Sequence, residues 1–97
     1  VNVRFLSIAE VELDEAIAYY EDKEGGLGLR LLSEINNSVG RILAYPEAWF
    51  RLSANTYRCR TRVFSYGIIY QIRSGEILIV AIASLHREPD YWKERLG

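Results

Sequence analysis

The chain predicts an α+β fold in which a short strand and two helices precede a three-stranded meander, and three observations carry that prediction. Ala9, Leu13, Ala16, Ile17 and Tyr20, then Leu32, Ile35, Val39 and Ile42, recur at helical spacing through the first half. From Tyr57 onward the period changes to alternation, with Ile68, Tyr70 and Ile72 on one side of a strand. Gly25-Gly26 and Ser74-Gly75 punctuate these two halves as a helix stop and a two-residue hairpin turn. At 97 residues the chain has the length of one domain, spanning 1–97.

Residues 2–6 read as a strand with Val3 and Phe5 on one face. Ser7-Ile8-Ala9-Glu10 matches a capping box, so a helix is expected from there to Gly25. Its early acidic residues suit the positive end of the helix dipole. A second helix fits residues 27–44, with Leu32, Ile35, Val39 and Ile42 as a packing seam. Two and a half heptads are few for a coiled-coil dimer, and the short glycine joint makes the first helix the expected antiparallel partner. Pro46 ends the helix, and residues 47–56 read as a loop.

The next stretch, Tyr57 to Phe64, reads as a strand that puts Tyr57, Cys59, Thr61 and Val63 on one face and Arg58, Arg60 and Arg62 on the other. Adjacent arginines in that row stand roughly 7 Å apart. Folding alone does not ask for stacked like charges. A turn at Ser65-Tyr66 would set Cys59 opposite Ile72, and a turn at Ser74-Gly75 sets Ile72 opposite Ile77 and Ile68 opposite Ala81. Both hairpins bury the same face, which the helical hairpin is expected to cover. The other face collects Arg58, Arg60, Arg62 and Arg73 beside Leu78, Val80 and Ile82, an apolar patch that asks for a cover. Either a partner protein or a short C-terminal helix opened by Pro89 would supply one, with Tyr91 and Trp92 anchoring that helix by burial.

Composition narrows the function. Hydrophobic residues at 49% and charged residues at 26% are those of an ordinary globular protein. Twelve basic against thirteen acidic residues give a net charge of −1, without the domain-wide basic excess of a dedicated nucleic-acid binder. The single Cys59 excludes an internal disulfide, and with one histidine there is no thiolate–imidazole zinc set, so no metal or other cofactor is expected. The longest apolar run, residues 77–83, is too short to cross a bilayer, and the first residues lack a secretory apolar core, so the expected location is the cytoplasm.

Five stretches taken in order resemble the RelE/ParE superfamily of bacterial toxins, over nearly the whole chain. They are Glu15 to Glu21 on the first helix, Gly26-Leu27-Gly28 opening the second, and the exit from Ile42 to Pro46. The arginine strand leading into Phe64-Ser65-Tyr66-Gly67-Ile68-Ile69-Tyr70 and the ending His86 to Trp92 complete the set. The resemblance implies a RelE-like βααβββ fold, with an antiparallel helical hairpin on one face of a mostly antiparallel four-stranded sheet and a short C-terminal helix. It implies the toxin of a type II toxin–antitoxin or plasmid-stabilisation module, neutralised by a cognate antitoxin.

The superfamily divides by target. A RelE-like member would be a metal-independent, ribosome-dependent endoribonuclease acting on mRNA, with Arg60 and Arg62 stabilising charge on phosphorus and His86 or Tyr91 moving protons. A ParE-like member would instead inhibit DNA gyrase by protein contact. The negative net charge and a 47–56 loop offering only Glu47 and Arg51 favour the ParE-like branch. In that case Arg58, Arg60, Arg62, Arg73, Leu78, Val80 and Ile82 are the expected antitoxin- or target-binding face. A non-toxic interaction domain on the same scaffold is the third reading.

Overall fold

The computed structural model describes residues 1–96. The elements are β1 (Asn2–Phe5), α1 (Ser7–Lys23), α2 (Leu27–Ala44), β2 (Phe50–Arg51), β3 (Thr56–Arg60), β4 (Tyr66–Arg73) and β5 (Glu76–Ser84), followed by a 3-10 turn over Lys93–Leu96. The strands form one mixed sheet in the order β1-β5-β4-β3-β2, with β1 parallel to β5 and every other pair antiparallel. The α+β class and the order of elements are as predicted, but the sheet has five strands rather than four. The extra strand is the pair Phe50 and Arg51, too short to show any period, which lies along Arg58 and Tyr57.

α1 starts without the expected capping box. The Leu6 N–H donates to the Ile79 carbonyl at 2.9 Å, and the Leu6 carbonyl accepts from Ala9 and Glu10. The strand therefore runs straight into the helix, and Ser7 becomes its first residue rather than its cap. At the other end, the Gly26-Leu27-Gly28 segment has a physical role. Gly26 adopts a left-handed φ of 90°. A Cβ on Gly28 would stand 2.7 Å from the Ile17 carbonyl oxygen, so only glycine lets the two helices touch there. The Glu21 carboxylate, from α1, accepts hydrogen bonds from the Gly26 and Gly28 N–H groups and so caps α2.

The helical hairpin covers one sheet face, as expected. Ala9 and Ala16 of α1, Leu31, Ile35 and Ile42 of α2, and Tyr57, Cys59, Ile68, Tyr70, Ile77, Ile79 and Ile82 of the sheet form its core. Burial pushes the Cys59 thiol up, in keeping with a small hydrophobe. The buried line of α2 is Leu31, Ile35, Ser38 and Ile42 rather than one running through Leu32, which is only half-buried.

Two register details differ from expectation. The connection from β3 to β4 is a loop over residues 61–65, not a two-residue turn, and Cys59 faces Ile68 instead of Ile72. That slip is an even number of residues, so every side chain keeps its face. The loop is held by the Glu34 carboxylate, which accepts from the backbone N–H groups of Arg62 and Val63. Phe64, with a φ of 67°, tucks its ring edge-on to Tyr20. Further along, Ile69 pairs with Ala81 while Tyr70 pairs with Ile79, leaving Val80 as an extra residue in β5. Beyond this bulge the faces exchange. Ile82 turns to the helix side, whereas Ala81 and Ala83 join Leu78 and Val80 on the other.

Candidate functional site

The second face of the sheet is covered by the C-terminal segment, the intramolecular one of the two covers the sequence allowed. Trp92, 5% exposed, packs with Ile69, Leu78, Val80, Ala81 and Ala83, flanked by Leu52, Tyr91 and Leu96. The segment is not an α-helix opened by Pro89. Asp90 takes a left-handed φ of 65°, and only the 3-10 turn from Lys93 follows. Leu78 and Val80 thus lie beneath the tail, and Ile82 lies in the helix-side core, so none of the three is presented to a partner while the tail is docked.

A single carboxylate fastens this cover. Glu12 of α1 sits between Ala9 and Ala16 on the helix face that meets the sheet, and reaches past them to the tail. Its Oε2 accepts from the Tyr91 hydroxyl at 2.6 Å, and its two oxygens accept from Arg95 Nη1 and Nη2 at 2.8 and 3.0 Å. Its Oε1 also accepts from the Ile82 N–H at 3.0 Å, just past the bulge. Arg95 Nη1 reaches the Val80 carbonyl as well, and Arg87 stands 3.7 Å from Glu12 Oε2. Burial alone would raise the Glu12 pKa, but hydrogen bonds from Arg95, Tyr91 and Ile82 outweigh it and hold the carboxyl below the usual carboxylate range. Burial and then the bond to Glu12 push the Tyr91 phenol well above its ordinary value. Two guanidinium groups approach the Tyr91 ring, Arg87 at 3.8 Å and Arg95 at 5.1 Å from its centroid.

Beside the tail opens a cleft of about 180 Å³ lined by Arg58, Arg60, Arg87, Glu88, Tyr91 and Trp92, among others. Arg58 lies over the Phe50 ring at 4.8 Å, and its Nε is buried without a hydrogen-bond partner. Its side chain crosses the β3–β4 pair at Gly67, where a Cβ would meet it at 3.1 Å. Arg60 is exposed, and its side chain makes no hydrogen bond among the described residues, so its guanidinium is free for a ligand.

The expected arginine row is therefore two residues long. Arg58 and Arg60 reach the cleft with Tyr91, whereas Arg62 leaves β3 in the 61–65 loop and points its backbone at Glu34. Arg73 is held elsewhere, donating at 3.0 and 2.7 Å to Gln71 Oε1, whose amide in turn donates to Thr56. His86 is exposed on the turn after β5 and does not line the cleft. Sequence reasoning missed Glu12 and Arg95, the centre of the polar network. The available signal was a glutamate in step with two alanines, Ala9 and Ala16, on the buried face of α1.

No helix among the described residues is long and apolar enough to cross a membrane. No curated protein matches the chain in sequence. Among solved structures, a chain of the chromosomal ParDE TA system from P. aeruginosa superposes with a TM-score of 0.75 at 16% identity, covering 87% of this chain and 95% of that one. This likeness shows the shared fold. The family model for the ParE toxin of the parDE type II toxin–antitoxin system matches residues 3–91. With nearly the whole chain matched and the strand, helical hairpin and sheet in place, the protein belongs to the ParE toxin family, whose parDE systems pair each toxin with an antitoxin.

Proposed function

We propose that this toxin arrests growth by direct protein contact with DNA gyrase, and that the cleft formed by Arg58, Arg60 and Arg87 is part of the surface its target or antitoxin contacts. The observation that carries this reading over RNA cleavage is the bond from the Tyr91 hydroxyl to Glu12. Attack by a 2'-hydroxyl needs a proton acceptor and a proton donor beside the phosphate. Tyr91 has its proton held by a carboxylate and its pKa raised, so it is no acceptor near neutral pH. His86 stands outside the cleft. Glu88 and Asp90 place negative charge on the same rim as the arginines, which weakens attraction for an RNA backbone and suits a protein surface of mixed charge.

The test compares gyrase supercoiling with the integrity of ribosome-bound message after inducing the chain without antitoxin. Inhibited supercoiling with intact message is the expected result. Message cleavage that disappears in His86→Ala or Tyr91→Phe would establish the RelE-like reaction instead, and normal growth on induction would favour a non-toxic interaction domain. Arg60→Ala should weaken growth arrest or antitoxin binding while changing stability by less than about 0.5 kcal/mol, because its side chain is exposed and makes no hydrogen bond or ion pair among the described residues. Arg62→Ala serves as the matched substitution outside the cleft.

A further inference from the structure

Three arginines line the cleft beside the tail, and none has a carboxylate in hydrogen-bond contact. Arg60 is exposed, with no hydrogen bond or ion pair from its side chain among the described residues. Arg87 stands 3.7 Å from a Glu12 oxygen that already accepts from Tyr91 and Arg95, and its guanidinium rests on the Tyr91 ring. Arg58 is the unusual member. It is half-buried, held over the Phe50 ring at 4.8 Å and packed across Gly67, and its Nε is buried with no acceptor. A folded chain rarely leaves an N–H of a charged group in that condition, because water has been removed and nothing has replaced it. Aromatic and aliphatic contacts hold this side chain in place without satisfying it.

What would satisfy it follows from the shape of the group and of the cleft. Nε and one Nη of a guanidinium lie side by side and match the two oxygens of a carboxylate, so an acid arriving side-on takes both donors at once. At about 180 Å³ the cleft has room for a single side chain rather than a run of nucleotides. Below the arginines its lining is apolar, from Ile69, Ala83 and Trp92, and Phe50 beside Arg58 is 60% exposed. On the rim, Asp90 is taken up by Lys93 at 3.4 Å, but Glu88 has no ion pair among the described residues and repels a second anion. An isolated carboxylate with an apolar neighbour fits this surface, and an evenly charged phosphate backbone does not.

We propose that the cleft receives one acidic side chain, standing beside an apolar residue on a protein partner. Arg58 turns off the Phe50 ring to grip the carboxylate side-on, and Arg60 and Arg87 close over it. This rests on the reading of the cleft as a protein-contact surface and adds the chemistry that the contact recognises.

The probe is a blocked peptide, acetyl-Ala-Leu-Glu-Leu-Ala-amide, titrated into the full chain and followed by the NMR signals of the arginine Nε–H groups. Saturable binding with a dissociation constant of about 1 mM is expected, the Arg58 Nε–H signal moving downfield as it gains an acceptor. Replacing the peptide's Glu by Gln should weaken binding about tenfold. Arg58→Lys, which keeps the charge but lacks the fork, should also weaken it about tenfold. Arg60→Ala, at an exposed position that leaves folding untouched, should weaken it about threefold, and Arg62→Ala should leave it unchanged. Absence of saturable binding, binding indifferent to the peptide's Glu, or an Arg58 Nε–H signal that stays in place overturns the proposal. A short oligoribonucleotide that displaces the peptide and binds more tightly assigns the cleft to nucleic acid and overturns it too. Supercoiling assays on the same variants keep the two readings apart. Gyrase inhibition without peptide binding overturns the carboxylate alone, whereas peptide binding without gyrase inhibition upholds it and overturns the gyrase target.

Discussion

The two faces of the sheet are covered by different means. On one, two helices of 17 and 18 residues bury large side chains such as Leu31, Ile35, Ile42 and Tyr70 in a continuous apolar layer. On the other, a short segment lays Trp92 over Val80, Ala81 and Ala83, and its grip depends on Glu12 reaching through from the opposite layer. Apolar area is non-directional and hard to remove at one point. A cover fastened largely through one carboxylate is directional, and its release as a unit separate from the layer beneath is what substitution of Glu12 tests. Under that cover Trp92 supplies the largest side chain, packed with Ile69, Leu78, Val80, Ala81 and Ala83.

The largest effect that would sharpen this contrast comes from the helix side. Ile35→Ala should cost about 4 kcal/mol in denaturant unfolding, lost uniformly across circular dichroism and fluorescence, because Ile35 is fully buried in the helix-side core. Glu12→Ala should cost less, about 3 kcal/mol, by stranding Arg95 and the Tyr91 hydroxyl. Its signature is local: Trp92 fluorescence shifts to the red and proteases cut near residues 85–90, with helical dichroism unchanged. Adding Trp92→Ala to it should cost much less than the sum, since both act on one docking event. Uniform unfolding in the Glu12 variant would show that the two covers are one cooperative unit. Gly28→Ala, which drives a methyl group into the Ile17 carbonyl, should cost about 2 kcal/mol.

Acid should produce a smaller and reversible version of the Glu12 effect. The folded-state pKa of Glu12 lies below its unfolded value near 4.5, so its contribution is complete above that value and is lost as pH falls through the folded-state pKa. Tail docking, followed by Trp92 fluorescence, should therefore loosen on the acid side, and Glu12→Gln should remove that dependence. At the bottom of the scale, Arg4→Ala should give no measurable change in stability, because its pair with Glu76 is exposed to solvent.

What could be read in the sequence followed from periodicity. Tyr57, Cys59, Ile68 and Tyr70 reach the helix-side core because alternation assigns faces by parity, and even a wrong turn left that parity intact. Parity failed at Val80, where a bulge inserts one residue and exchanges the faces beyond it. No residue type at that position announces a bulge. The arginine row failed at Arg62 because Glu34, far away in sequence, captures the backbone after β3 and ends the strand. For the site, Arg58, Arg60 and Tyr91 were legible as candidates and do share a cleft. Their anchoring was not, since the bonds between Glu12 and the tail join residues about as far apart as this chain allows.

The place of β1 has a consequence for how the protein is made. Among the described residues its strand partner is β5, with Val3 opposite Ile77, so β1 must wait for a strand made some seventy residues later, roughly the separation of Asn2 and Glu76. Until residues 76–84 clear the ribosome, the helical hairpin can form, but α1 lacks β5, the strand that also pairs with β1, and part of its apolar face stays open to water. The Glu12 clasp closes later still, when Tyr91 and Arg95 emerge. The sheet and its clasp therefore complete after the helical hairpin, which needs only residues 7–44.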